Sequence, residues 1–189
     1  NGTIEAPVVV NAAGSHSLLL ARTAGVELPI TPWRREILVT EPLERFLDPM
    51  VISFSFGIYF RQTKHGAVIG GFADPEEQPG FNQTSSLDFL TTMSRKLRRL
   101  MPRLSPVKIV RQWAGLYDAT PDGQPILGAV PELEGFIQAN GFSGHGFMIA
   151  PKVSSLLAQL ISGEEPDLDI ERLNITRFEG GGTAGERSV

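Results

Sequence analysis

Asn140-Gly141-Phe142-Ser143-Gly144-His145-Gly146-Phe147-Met148 follows a short apolar strand candidate, Phe136 to Ala139, and runs into an amphipathic helix with Pro151 near its start. Three glycines let the backbone approach a ligand closely. A helix N-terminus leaves unpaired N–H groups and a partial positive charge, which suits a phosphate or an electron-rich carbonyl edge. The stretch reads as a cofactor-holding turn, and glycine-rich turns also serve simple chain reversal. In the helix, Val153, Leu156, Leu157, Leu160 and Ile161 form a packing stripe that Gly163 ends.

Working outward, Lys108 to Asp118 reads as one long strand with Ile109, Arg111, Trp113, Gly115 and Tyr117 on one side. A basic, aromatic and glycine face is unusual for pure core. Thr120-Pro121-Asp122-Gly123 makes a turn, and Ile126 to Ala129 a short strand. Upstream, the run Pro7-Val8-Val9-Val10-Asn11 before Ala12-Ala13-Gly14 suits a strand buried on both faces in a parallel sheet. Ser15 or Ser17 then caps a short helix through Leu18, Leu19 and Ala21, stopped by Gly25.

Ile37 to Thr40 is a short strand candidate. Val51 to Arg61 alternates, which puts Ile52, Phe54, Phe56, Ile58 and Phe60 on a core face. Thr63-Lys64-His65-Gly66 reverses the chain so that Ala67 to Gly71 returns antiparallel. Ala73 to Thr84 is a polar loop. Ser85-Ser86-Leu87-Asp88 caps a helix carrying Leu87, Leu90, Met93, Leu97, Leu100 and Met101 at helical spacing up to Pro102, with Arg95, Lys96, Arg98 and Arg99 on its solvated face.

The 189 residues are 41% hydrophobic and 20% charged, the composition of a packed globular chain. A net charge of −4 and no basic run interleaved with aromatics count against a nucleic-acid partner. The lack of cysteine excludes disulfides, thiolate metal sites and cysteine nucleophiles, and it points to a reducing cytoplasm. Apolar runs fall far short of the ~20 residues a membrane helix needs, so a soluble, cytoplasmic protein with no membrane partner is expected. His16, His65 and His145 neither pair at helical spacing nor stand beside suitable carboxylates, so no metal site is expected. Gly141-Phe142-Ser143-Gly144-His145 nearly makes the nucleophile elbow of a serine hydrolase, but His145 stands where that tight turn needs glycine. Ser143 as a nucleophile is the minority alternative. The strand arriving so soon after Asn1 reads as a chain that starts mid-domain, an excerpt of something longer.

Four segments occur in order: Val-Val-Asn-Ala-Ala-Gly at 9 to 14, Tyr-Phe-Arg-Gln-Thr at 59 to 63, Trp-Ala-Gly-Leu-Tyr-Asp-Ala-Thr-Pro-Asp-Gly-Gln-Pro-Ile-Leu-Gly at 113 to 128, and Asn-Gly-Phe-Ser-Gly-His-Gly-Phe at 140 to 147. Together they resemble the C-terminal half of the FAD-dependent amine and amino-acid oxidoreductases that include D-amino acid oxidase, glycine oxidase and sarcosine oxidase. The resemblance implies an α+β fold, a mostly antiparallel substrate-domain sheet with helices plus an incomplete α/β FAD-binding domain. Residues 1–27 would be the last N-terminal piece of the FAD-binding domain, 28–112 the substrate domain, 113–178 the return to the FAD-binding domain, and 179–189 a flexible tail.

The implied cofactor is non-covalently bound FAD, contacted by Ala13, Gly14, Gly115, Gly144, His145, Gly146, Phe147 and Met148. The positive end of the following helix would favour negative charge on the flavin. Gly115 stands where monomeric sarcosine oxidases carry the cysteine that attaches the flavin, so no covalent link forms there. Met148 stands where those enzymes carry a lysine that helps hold the substrate carboxylate. The implied reaction is hydride transfer from the carbon beside an amine, by an oxidase or a dehydrogenase. Tyr117 and Arg61 would contact the substrate, with a half-buried sheet tyrosine and a surface strand arginine as the alternatives; Arg34, Arg35 and Arg111 are further candidates. Implied partners are a small amino-acid or amine substrate, the missing N-terminal FAD-domain half or a separate subunit, and a second copy in a homo-oligomer. The same fold piece acting as a non-catalytic interaction module is the other reading.

Overall fold

A computed structural model of the chain describes residues 2–179, so the tail expected at 179–189 lies, from residue 180 on, outside the described residues. The fold is mixed α+β with antiparallel pairing dominant, as the sequence implied. The chain divides into two compact units: Trp33–Leu116, and a second built from the residues up to and including Pro32 together with those from Tyr117 onward.

In the Trp33–Leu116 unit a five-stranded sheet runs β3-β4-β5-β2-β6, with β2 Thr31–Pro42, β3 Val51–Ser53, β4 Ile58–Gln62, β5 Ala67–Phe72 and β6 Ile109–Ala119. Helix α2, Leu87–Leu100, covers one face: Phe89, Met93 and Leu97 pack on Leu38, Ile58, Phe60, Val68 and Phe72. Strand β2 is far longer than the expected Ile37–Thr40 because it pairs on both sides, and its Glu36 is buried yet satisfied. Ser86 N–H and Oγ each lie 2.7 Å from the Glu36 carboxylate, and Gln112 Nε2 lies 2.9 Å from it. Ser86 is also the N-cap of α2, accepting from Phe89 N–H at 3.1 Å. Leu87 lies outside the packing stripe, 78% exposed, while Phe89 belongs to it.

Val51–Arg61 is not one strand. It breaks at Phe54–Gly57 into β3 and β4, which pair antiparallel with Val51 opposite Phe60. Alternation of side chains continues through such a reversal, so period two alone cannot see it. Ile58 and Phe60 are core, whereas Phe54, at the turn, is 78% exposed. The β4–β5 hairpin closes as expected, with Thr63 N–H bonded to Ala67 O at 2.8 Å.

The other unit carries a three-stranded sheet β1-β8-β7: β1 Val9–Asn11, parallel to β8 Leu133–Asn140, which pairs antiparallel with β7 Ile126–Val130. On one face, α1, Ser17–Thr23, and the segment after it pack Leu18, Ala21, Val26, Leu28 and Ile30 on Ile126, Val130 and Phe136. On the other, Leu157 of α3, Gly146–Ile161, packs on Leu127, Ile137 and Ala139. Strand β1 is not buried on both faces: it is the sheet edge, and Val9 and Val10 are half-exposed. Neither Ser15 nor Ser17 makes a side-chain cap; a 3₁₀ turn at Gly14–His16 leads into α1 instead. Because α3 starts at Gly146, Pro151 falls in its second turn. Among the described residues no helix is long and apolar enough to cross a membrane.

Candidate functional site

Parallel pairing of β1 with β8 sets Asn11 opposite Gln138, so the turns Ala12–Gly14 and Gly141–His145 leave neighbouring strands at the same end. In α/β sheets such carboxyl ends, continued by a helix N-terminus, are where ligands bind. Three buried amides tie the two strand ends together. Asn11 Nδ2 and Asn140 Nδ2 both donate to Gln138 Oε1, at 3.0 and 2.8 Å, and Asn11 Nδ2 also reaches Ser17 O at 3.0 Å. All three side chains are at most 1% exposed.

The second turn is shaped by unusual backbone. Gly141 has φ +74° and Ser143, a residue with a side chain, φ +52°. Asp118 of β6, 6% exposed, accepts both amides: Gly141 N–H at 2.7 Å and Ser143 N–H at 2.9 Å. Its neighbour Tyr117 lies against Gly144 so closely that a β-carbon there would meet the Tyr117 hydroxyl oxygen at 2.5 Å. Gly146 is similarly close to Phe142. At the mouth of α3 Gly144 and His145 are exposed, Phe147 is 99% exposed and Met148 70%. Gly146 and Phe147 open the helix, so their N–H groups have no intrahelical acceptor.

Ala13 and Gly14 lie half-buried in the first turn, Gly14 at φ +54° with open space at its β-carbon position. Gly115, two residues before Tyr117 on β6, also faces open space. Arg61 stands exposed on β4, in the Trp33–Leu116 unit. Arg34 is occupied: its Nε and Nη2 bind Glu77 at 2.9 and 2.7 Å, and Nη1 reaches Thr84 O. The hydrogen bond to Glu77 raises the Arg34 guanidinium above its ordinary value, against an opposing effect of burial. Arg34 therefore straps the 73–84 loop and is not available to a substrate. Arg35 and Arg111 lie over the Trp33 and Trp113 rings at 6.0 and 5.9 Å.

Ser143 Oγ is buried with no hydrogen-bond partner, so no general base activates it and the hydrolase alternative has no support. Sequence reasoning missed Asp118 and the Asn11–Gln138–Asn140 cluster. The available signal was polar residues inside otherwise apolar strands.

A family profile described as FAD dependent oxidoreductase matches residues 1–160. The chain belongs to this FAD-dependent oxidoreductase family. It is 32% identical to glycine oxidase of Pseudomonas putida over 89% of its own length and 45% of that protein's. It is 29% identical to sarcosine oxidase subunit beta of Arthrobacter sp, over 95% of the chain and 44% of the subunit. Among solved structures it superposes on L-proline dehydrogenase from P. horikoshii with a TM-score of 0.86 and 39% identity, covering 93% of this chain and 48% of the other. The chain thus spans about half the length of the relatives it matches. The family resemblance expected from the four sequence segments is borne out.

The residues of this FAD-dependent oxidoreductase family member fit a flavin. The mouth of α3 offers unpaired amides beside the exposed side chains of Phe147 and Met148, and Gln138 Nε2 and Asn140 Oδ1 are buried at the end of β8 without partners.

Proposed function

We propose that this chain supplies the substrate-facing part of an FAD-dependent oxidoreductase acting on an amino acid or secondary amine. Residues 28–112 would serve as substrate domain, with 1–27 and 113–178 belonging to the FAD-binding domain. The observation that carries the reading is the packing of Tyr117 on Gly144, which joins the strand expected to touch substrate to the turn expected to hold cofactor.

Backbone at Ala13, Gly14, Gly144, His145 and Gly146 would hold the ring system non-covalently, with Gly115 leaving room beside it. Phe147 and Met148 would exclude water, which strengthens every electrostatic contact in the site. When bound, the flavin supplies a hydride acceptor for the carbon that bears the amine; the resulting imine is hydrolysed by water. The Arg61 guanidinium would bind a substrate carboxylate bidentately, and the Tyr117 hydroxyl would orient it. The half-exposed Val9, Val10, Leu19 and Leu20 would be covered by the rest of the FAD-binding domain, on the same polypeptide or on another subunit.

The test is to assemble the chain with the complementary FAD-domain half. Flavin absorbance is then recorded during anaerobic addition of glycine, sarcosine or proline. Bleaching by one of these amines is expected. Failure of the assembly to retain flavin overturns the reading. Oxygen uptake against reduction of an artificial dye separates oxidase from dehydrogenase.

A further inference from the structure

Asp118 is an unusual place to bury a carboxylate. Among the described residues it forms no ion pair. The protein compensates its desolvation with two backbone amides, those of Gly141 and Ser143. Those amides sit on either side of Phe142, in a segment that holds Gly141 at φ +74° and Ser143 at φ +52°. Glycine adopts such angles freely, but serine does so only where its surroundings over-determine the backbone. The Ser143 side chain does not supply that constraint, because its Oγ is buried without a partner. The constraint on Ser143 comes from its N–H, and the group that receives it is Asp118.

We propose that Asp118 is a positioning residue of the oxidoreductase site: its two-amide grip locks the left-handed turn at Gly141–Ser143, and so fixes Gly144 and the mouth of α3 against Tyr117. Tyr117 and Asp118 are consecutive on β6 and project to opposite faces. One strand end therefore holds the turn twice, by ring contact at Gly144 and by hydrogen bonds at Gly141 and Ser143. Relaxation of Ser143 to negative φ would carry Gly144 off the Tyr117 ring, displacing the cofactor surface and the substrate-side tyrosine together. The cofactor part of this inference rests on the flavin reading above; the turn-locking part does not.

The experiment compares Asp118→Asn, Asp118→Ala and Asp118→Asn/Ser143→Gly with the parent, each in the flavin-loaded protein. Asparagine keeps the shape and one acceptor oxygen, but it turns an N–H donor toward the second amide. Hydrogen exchange at Gly141 and Ser143 is expected to accelerate about tenfold in Asp118→Asn and more in Asp118→Ala, with the β-sheet amides unchanged. The flavin dissociation constant should rise by about tenfold in Asp118→Asn, with an altered visible circular dichroism of the bound flavin, a signal that a distant loss of stability would not move. Adding Ser143→Gly removes the penalty for positive φ and should recover part of the affinity. If Asp118→Ala does not fold, Asp118→Asn and its glycine rescue carry the test alone. A parent protein that retains flavin, with Asp118→Asn unchanged in exchange, affinity and dichroism, overturns the proposal and leaves the flavin reading standing. A parent that binds no flavin overturns that reading, while exchange at Gly141 and Ser143 still decides the turn-locking role.

Discussion

Gly144 has no room for a side chain, and this decides what a single methyl would do there. Gly144→Ala puts a β-carbon 2.5 Å from the Tyr117 hydroxyl oxygen. Overpacking of that kind costs roughly 1–3 kcal/mol, so flavin retention should fall by about tenfold or more. Tyr117→Ala in the same chain should restore much of it, because neighbours that clash are not additive. Flavin-to-protein ratio after gel filtration checks both. Arg61 is a different case: if it grips the substrate carboxylate, Arg61→Ala raises KM by about tenfold or more with kcat little changed, which steady-state kinetics will read. At Asp122, burial raises the carboxyl, but hydrogen bonds from Arg177, the Gln124 amide and Thr120, together with the Arg177 charge, outweigh burial and hold it below its ordinary value. Arg177 Nε lies 2.7 Å from its Oδ2. A depressed folded value gives stability that is present at neutral pH and lost as pH falls through it. The melting-temperature gap between parent and Asp122→Asn should therefore be steady from about pH 7 to 5 and close below about pH 4. A gap that widens in acid would contradict this. The environments of Gly144, Asp122 and Arg34 are not visible in sequence, because each partner lies tens of residues away: Tyr117 from Gly144, Arg177 from Asp122 and Glu77 from Arg34.

At the scale of elements, helix α2 shows how local signals and tertiary partners divide the work. The Ser-rich approach and the apolar spacing announce a helix ending before Pro102, and the helix runs Leu87–Leu100. Which serine caps it, and that Phe89 rather than Leu87 faces the sheet, depends on Glu36 of β2, whose carboxylate accepts both Ser86 N–H and Oγ. Ser86→Ala removes the cap and one bond to a buried charge. It should cost about 1–2 kcal/mol, a melting shift of roughly 2–8 °C in a chain of this size. Ser85→Ala should cost almost nothing. Equal effects at both positions, measured by thermal unfolding, would contradict the assignment. Strand β6 was legible whole because its alternation is unbroken, whereas Val51–Arg61 was misread as one strand because a two-residue period survives the reversal at Phe54–Gly57.

For the molecule as a whole, the edge strand β1 and the exposed Val9, Val10, Leu19, Leu20, Phe147 and Met148 leave apolar surface to water. Exposed edges and patches of this kind favour association. The isolated chain is expected to form dimers or larger species at micromolar concentration, and, if a complementary FAD-domain half covers this surface as proposed, its addition should compete them apart. Light scattering showing a monodisperse monomer would count against this. The family was legible because its signature is a set of short segments in fixed order, and the glycine-rich turn before α3 was recognisable because glycine spacing and helix onset are written in adjacent residues. Sequence alone thus determined the α+β class, the β4–β5 hairpin and the position of the glycine-rich turn before α3, since the last two depend on contacts within a few residues and the first on a set of short segments in order. Only the tertiary structure decided that Asp118 holds that turn, that Arg34 is spent on Glu77, and that β1 is an edge. Those outcomes depend on which distant groups meet and are desolvated together, and no local pattern encodes that.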